Sequence, residues 1–210
     1  YPWNRPKVVA NAARLSRGPW RIAASPDYDG LVCYKNFFGI WPRSKLSIEV
    51  LAALLNAPVA NAYLWTYDTR ENRKVTIADI PIPNLDEADI ESLTDLVRTY
   101  TWYRREWLTN PFEEDRSRDA CYQLLVEIDA VILRAYDLPP KLERQLLDCF
   151  RGYYRPGPIE FTEYYPQGFK PFIPWHKYIS HEFQRARIDE TLARIPVIDD
   201  LDISEALSEL

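Results

Sequence analysis

The chain has 210 residues, 47% of them hydrophobic and 14% aromatic, which is enough apolar mass for one large or two small domains and excludes disorder of the whole. Its formal net charge of -5 conceals an asymmetry: residues 1–74 hold 11 Lys/Arg against 5 Asp/Glu, and residues 75–210 hold 15 against 26. No apolar run approaches the ~18 residues of a membrane span and no signal-peptide pattern opens the chain, so the expectation is a soluble, cytoplasmic protein.

In the basic half, Trp20 to Ala24, Leu31 to Tyr34 and Asn36 to Trp41 are short β-prone runs, separated by the turn cluster Pro26-Asp27-Tyr28-Asp29-Gly30 and ended by Pro42. They predict a small mixed or antiparallel sheet. Ser47 can cap a helix in which Ile48, Leu51, Ala52 and Leu55 recur at helical spacing. Pro58 suits the first position of a second helix, with Val59, Ala62 and Tyr63 facing inward. Thr69 to Lys74 read as a polar, basic loop and Lys74 to Ala78 as a short strand.

From Asp86 the pattern changes to long helices. Asp86 is a candidate N-cap with Glu87, Asp89 and Glu91 in the first turn, and Ile90, Leu93, Val97, Tyr100 and Trp107 form a stripe that must pack against something. A second helix, about Ser117 to Tyr136, offers Tyr122, Leu125, Val126, Ile132 and Leu133, and Asn110-Pro111-Phe112 joins the two as an antiparallel pair. A third begins at Pro139-Pro140 and carries Leu142, Leu146, Leu147 and Phe150. From Tyr153 to Ser180 prolines and aromatics alternate without period, which rules out a long helix and suggests an extended strap over the helices or a docking strip for another subunit. The fold class is therefore α+β, divided as residues 1–84, a helical spacer at 85–152 and a Pro/aromatic-rich extension at 153–210.

The chain contains no methionine, even at position 1, and reads as a fragment of a longer protein. Cys33, Cys121 and Cys149 are far apart in apolar surroundings, as expected of buried free thiols rather than a disulfide framework or zinc site.

The segment Leu51-Ala-Ala-Leu-Leu-Asn-Ala-Pro-Val-Ala-Asn-Ala-Tyr63, followed by a basic stretch and Ile80-Pro-Ile-Pro83, carries no catalytic group. It resembles the target-recognition region downstream of the catalytic domain in N6-adenine DNA methyltransferases of restriction-modification and related phage-defence systems. Leu54-Leu55-Asn56-Ala57 and Ile80 to Pro83 match that pattern, with Ala57 where Ser is usual. Pro6-Lys7-x-x-x-Asn11 and Gly18-x-Trp20-Arg21 look like the approach to the same region, so the resemblance covers about residues 2 to 108. A tail such as Phe161-x-x-Tyr164 through Pro174-x-His176-x-Tyr178 is similar to the ends of some bacterial methyltransferase chains.

The resemblance implies a module that docks on double-stranded DNA beside a catalytic methyltransferase domain of the same parent, where S-adenosylmethionine would bind. This chain lacks the methylation loop: Asp137-Leu-Pro-Pro140 has an inserted Leu and suits a helix start, and Asn110-Pro111-Phe112 lacks the second proline. It also lacks a glycine turn for the cofactor. None of the seven lysines has Asp or Glu two residues before it, which disfavours a magnesium-dependent nuclease of the common kind. His176 and His181 match neither a zincin helix nor a catalytic triad.

Candidates for phosphate contact are Arg14, Arg17, Arg21, Lys35, Arg43, Lys45, Arg70, Arg73 and Lys74, and Asn11, Asn36 and Asn72 are candidates for reading bases. Each could instead be an ordinary surface residue, and both halves could be merely solvated. The competing function is a protein-interaction module in which the acidic helices and the aromatic strap dock a methyltransferase, restriction or defence partner.

Overall fold

The computed structural model describes residues 1–42, 46–67 and 70–150, together with Tyr153 and Arg155. Apart from Pro139–Lys141, they belong to one compact unit. The fold is α+β. Strands β1 (Lys7–Asn11), β2 (Ala24–Asp27) and β3 (Phe37–Ile40) are followed by α1 (Ile48–Asn56), α2 (Pro58–Tyr67), α3 (Lys74–Ala78), α4 (Glu87–Thr109), α5 (Glu114–Tyr136) and α6 (Pro140–Asp148).

The sheet is antiparallel throughout, in the order β2-β1-β3. Val8 and Ala10 turn one face of β1 into a core with Ile22, Ile48, Ala52, Leu55 and Leu64. The opposite face carries Lys7, directly across from Asp27, and the two form a buried ion pair. Burial alone would raise the Asp27 carboxyl, but the Lys7 hydrogen bond, the N–H groups of Asp29 and Leu31 and the Lys7 charge together hold it below the usual carboxylate range. Lys7 also donates to the Trp3 carbonyl at 2.9 Å. Trp3 and Trp41 meet edge to face over Gly39, where a Cβ would lie 2.7 and 2.8 Å from their rings, so only glycine admits this lid.

Ser47 caps α1, its hydroxyl accepting from the Val50 N–H at 3.2 Å. The helix is apolar on nearly every side because it lies between two layers. Ile48, Ala52 and Leu55 face the sheet, while Val50, Ala53, Leu54 and Ala57 pack with Leu93 and Val97 of α4 and Ile128, Val131 and Ile132 of α5. The boundary expected at residue 84 is thus a boundary of composition: one core crosses it.

Asp86 caps α4 by accepting from the Asp89 N–H at 2.8 Å. Arg134 reaches Asp89, the Cys121 thiol reaches the Tyr100 carbonyl, and Tyr122 packs edge to face on Trp107, so the two long helices run antiparallel through the Asn110 link. Trp20, Leu133, Leu147 and Phe150 form a third cluster. Among the described residues no single helix is long and apolar enough to cross a membrane; α1 and α2 together reach that composition, but they are bent by 58° and packed into the cores.

Several expectations are corrected. Lys74–Ala78 is a helical turn and not a strand, with Asp79 donating back to Val75 at 3.1 Å. Pro26 and Asp27 close β2 rather than opening a turn, Trp20 to Ala23 lie outside the sheet, and Leu31 to Tyr34 form no strand. The second long helix begins at Glu114, three residues before the expected start. Cys121 is buried as expected, whereas Cys33 and Cys149 are half-buried; all three are free thiols. The strap expected at 153–180 lies outside the described residues apart from Tyr153 and Arg155.

Candidate nucleic-acid interface

Three loops meet at the end of β1. The Ala12 N–H donates to the Asn36 carbonyl at 2.7 Å, the Asn72 N–H donates to the Ala12 carbonyl at 2.8 Å, and Ala13 bridges to Glu71. Asn72 stitches the junction from inside, its amide donating to the carbonyls of Asn11 at 3.2 Å and Arg21 at 2.9 Å. Asn11 does the same on the other side, donating to the Arg21 carbonyl and accepting from the Ala23 N–H.

This placement sorts the candidates. Asn11 and Asn72 are buried and spend their amides on backbone groups, so they cannot read base edges from here. Arg21 is buried as well, with its guanidinium donating to the Ser16 carbonyl at 3.4 Å, and it holds the 15–21 turn rather than facing a phosphate. Lys35, Asn36, Arg70, Arg73 and Lys74 are exposed on the converging loops, and Glu71 is the acid among them. Arg14 is half-buried just beyond the junction, and Arg17 is exposed on the 15–21 turn. Arg43, Lys45 and Thr69 lie outside the described residues.

Aromatic rings are interleaved with these cations. Lys35 sits in the left-handed region at φ 48°, where the Asn36 N–H reaches the Tyr34 carbonyl at 2.6 Å and the backbone turns sharply. Its flanks, Tyr34 and Phe37, are 77% and 54% exposed. The Lys35 ammonium lies 5.6 Å from the Tyr34 ring centroid, and that of Lys74 lies 5.6 Å from the Phe38 centroid. The loops therefore present positive charge beside open ring faces, which suits a backbone of phosphates with bases alongside.

The Leu54 to Pro58 segment supports this surface without belonging to it. Asn56 clips the outer edge of β2: its amide donates to the Ala24 carbonyl at 2.7 Å and its oxygen accepts the Ala24 N–H at 2.9 Å. With Pro26 next along the edge, the strand is closed to further pairing. Asn61, fully buried in α2, accepts from the N–H groups of Arg21 and Ile22 and donates to the carbonyls of Leu55, Asn56 and Ala57. At the other end of the motif, the Pro81 carbonyl accepts from the Tyr136 hydroxyl, whose pKa burial pushes up to about 12.

Two ionic clusters escaped the sequence reading. Glu49 of α1 accepts from the Tyr28 hydroxyl and from Arg98 of α4; burial alone would raise its carboxyl, and these partners hold it low. Arg155 donates to Asp129 at 2.6 Å and to the Asn56 carbonyl at 2.8 Å, and lies over Trp20. Asn61 could have been suspected as a lone amide inside an apolar helical run; Arg155 carries no local signal. Among the described residues no group of His, Cys, Asp and Glu could hold a metal ion.

No protein-family model matches the chain, and no curated protein or solved structure matches it.

Proposed function

We propose that this chain is a DNA-docking target-recognition module of an N6-adenine DNA methyltransferase of a restriction-modification or related phage-defence system. The observation that carries it is the meeting of three loops that bear the exposed cations Lys35, Arg70, Arg73 and Lys74 and the exposed rings of Tyr34 and Phe37. The resemblance in Leu54 to Ala57 and Ile80 to Pro83 supplies the family. The residues here offer no glycine turn for S-adenosylmethionine and no methylation loop, so cofactor and chemistry are assigned to another part of the parent. Arg14, Arg17 and Asn36 are secondary contacts on this reading.

A salt series tests it. Duplex binding should weaken steeply with added salt, with a log-log slope on the order of several units, because each neutralised phosphate releases condensed counterions. Absence of duplex binding at low salt would sink the proposal. A second reading, a module that docks a methyltransferase or restriction subunit, draws on the exposed apolar run of Leu31, Val32 and Tyr34. It would be favoured by a catalytic partner that binds the chain while DNA does not.

A further inference from the structure

A cavity of about 280 Å³ lies between the edge of β2, α1, α4 and α5, and none of the exposed cations of the three loops lines it. Two small residues of α1 line it, Ala52 from the sheet side of the helix and Ala53 from the side that packs on α4 and α5. Its walls are largely apolar, with Trp20, Val97 and Tyr100 among them. Arg104 and Arg155 are its charged residues, beside polar Ser25, Asn56 and Thr101, and the lining contains no Asp or Glu. The charge of Arg155 is answered by Asp129 behind it. Arg104 has no carboxylate within ion-pair distance among the described residues; its guanidinium lies 4.0 Å from the centroid of the Trp107 ring.

A concave apolar site with a few convergent polar groups is the usual architecture for a small molecule, and this one is near the small end of the range. An uncompensated cation beside apolar walls of reduced dielectric favours an anionic ligand, since a charge-assisted contact is stronger there than in water. We propose that this cavity binds a small planar organic anion, an aryl carboxylate in chemical class, with its ring against the apolar wall and its carboxylate on Arg104. Arg155, already neutralised, serves as a polarised wall rather than as the counter-ion.

Isothermal titration of the full chain with 2-naphthoate and with its neutral counterpart 2-naphthalenemethanol tests this. Naphthoate should bind saturably and roughly tenfold more tightly than the alcohol, a difference of about 1.4 kcal/mol. Arg104→Gln should abolish the discrimination, Arg104→Lys should keep part of it, and Ala52→Leu should remove binding of both by filling the cavity. Circular dichroism and thermal melts establish that each variant is folded, and the Lys variant carries the test if the Gln variant is not. Absence of saturable naphthoate binding, equal affinity for the two probes, or discrimination that survives in a folded Arg104→Gln would overturn the proposal.

Discussion

The Arg21 backbone N–H donates to the Asn61 side-chain oxygen at 2.8 Å, joining the strandless segment before β2 to the middle of α2 across 40 residues of sequence. The same oxygen takes the Ile22 N–H at 3.0 Å, and the amide nitrogen serves the carbonyls at the junction of α1 and α2. Asn61→Ala would leave these buried groups without a partner, and an unsatisfied buried donor or acceptor costs about 1–3 kcal/mol. Because several are orphaned at once, chemical denaturation should show a loss of roughly 2–4 kcal/mol, at the upper end of single substitutions. A loss within ~0.5 kcal/mol, the range of ordinary surface changes, would mean that the stitch is dispensable.

Asp129 and Arg155 predict a pH dependence. Burial pushes the Asp129 carboxyl up to about 6, against the opposing charge and hydrogen bond of Arg155. A carboxyl raised on folding contributes stability below its unfolded value and loses it as pH rises through the folded one. For this residue the window runs from the ordinary carboxyl value of 3.8 to about 6. Arg155→Met removes the group that lowers Asp129, so the carboxyl should rise further and the window extend upward. The deficit in melting temperature of Arg155→Met relative to the parent should therefore be larger at pH 8 than at pH 5. Adding Asp129→Asn should remove most of that pH-dependent difference. A deficit independent of pH would show that Arg155 acts through its packing on Trp20 and its bond to the Asn56 carbonyl rather than through the Asp129 charge.

The helical half was legible because its signals are local. Ser47, Pro58, Asp86 and Pro140 stand at or beside helix starts as capping and proline rules require, and the apolar stripes of α4 and α5 needed only each other to be buried. The sheet was not legible for the opposite reason. Lys7 looks like a surface residue until Asp27 is placed across from it, and Leu31 to Tyr34 look like a strand until no neighbour covers them. Lys74–Ala78 is β-branched in composition, yet Ile77 packs against the sheet core and the turn is helical. The candidate site shows the same divide. Charge density drew attention to the 70 to 74 loop, but nothing local distinguishes buried Arg21, Asn11 and Asn72 from exposed Lys35 and Arg73, because their partners lie on other segments.

Tyr34 and Phe37 are too exposed to contribute much to folding, so their double replacement by alanine should change stability by less than about 0.5 kcal/mol. Stacking of a ring on an unstacked base is worth about 1–3 kcal/mol per base, so single-strand affinity should fall roughly tenfold or more. No cation is removed, and the slope of affinity against salt should stay as it was. Unchanged affinity would confine the interface to its charges.

Replacing Arg70, Arg73 and Lys74 together by glutamate asks whether the third loop meets the phosphates. Arg73 also donates to the Tyr67 carbonyl at 3.1 Å, and Lys74 opens α3, so a triple alanine variant serves as the folding control. If each cation neutralises one phosphate, removing the three should lower the log-log salt slope by about 2–3 units, at roughly 0.9 per contact. Phosphate contacts carry no sequence information, so the weakening should be similar for unrelated duplexes. The glutamate variant should bind still less than the alanine one, because it adds repulsion to the lost attraction. An alanine variant with the parental slope would take this loop out of the interface, leaving Lys35 and Arg17 as the cations to test next.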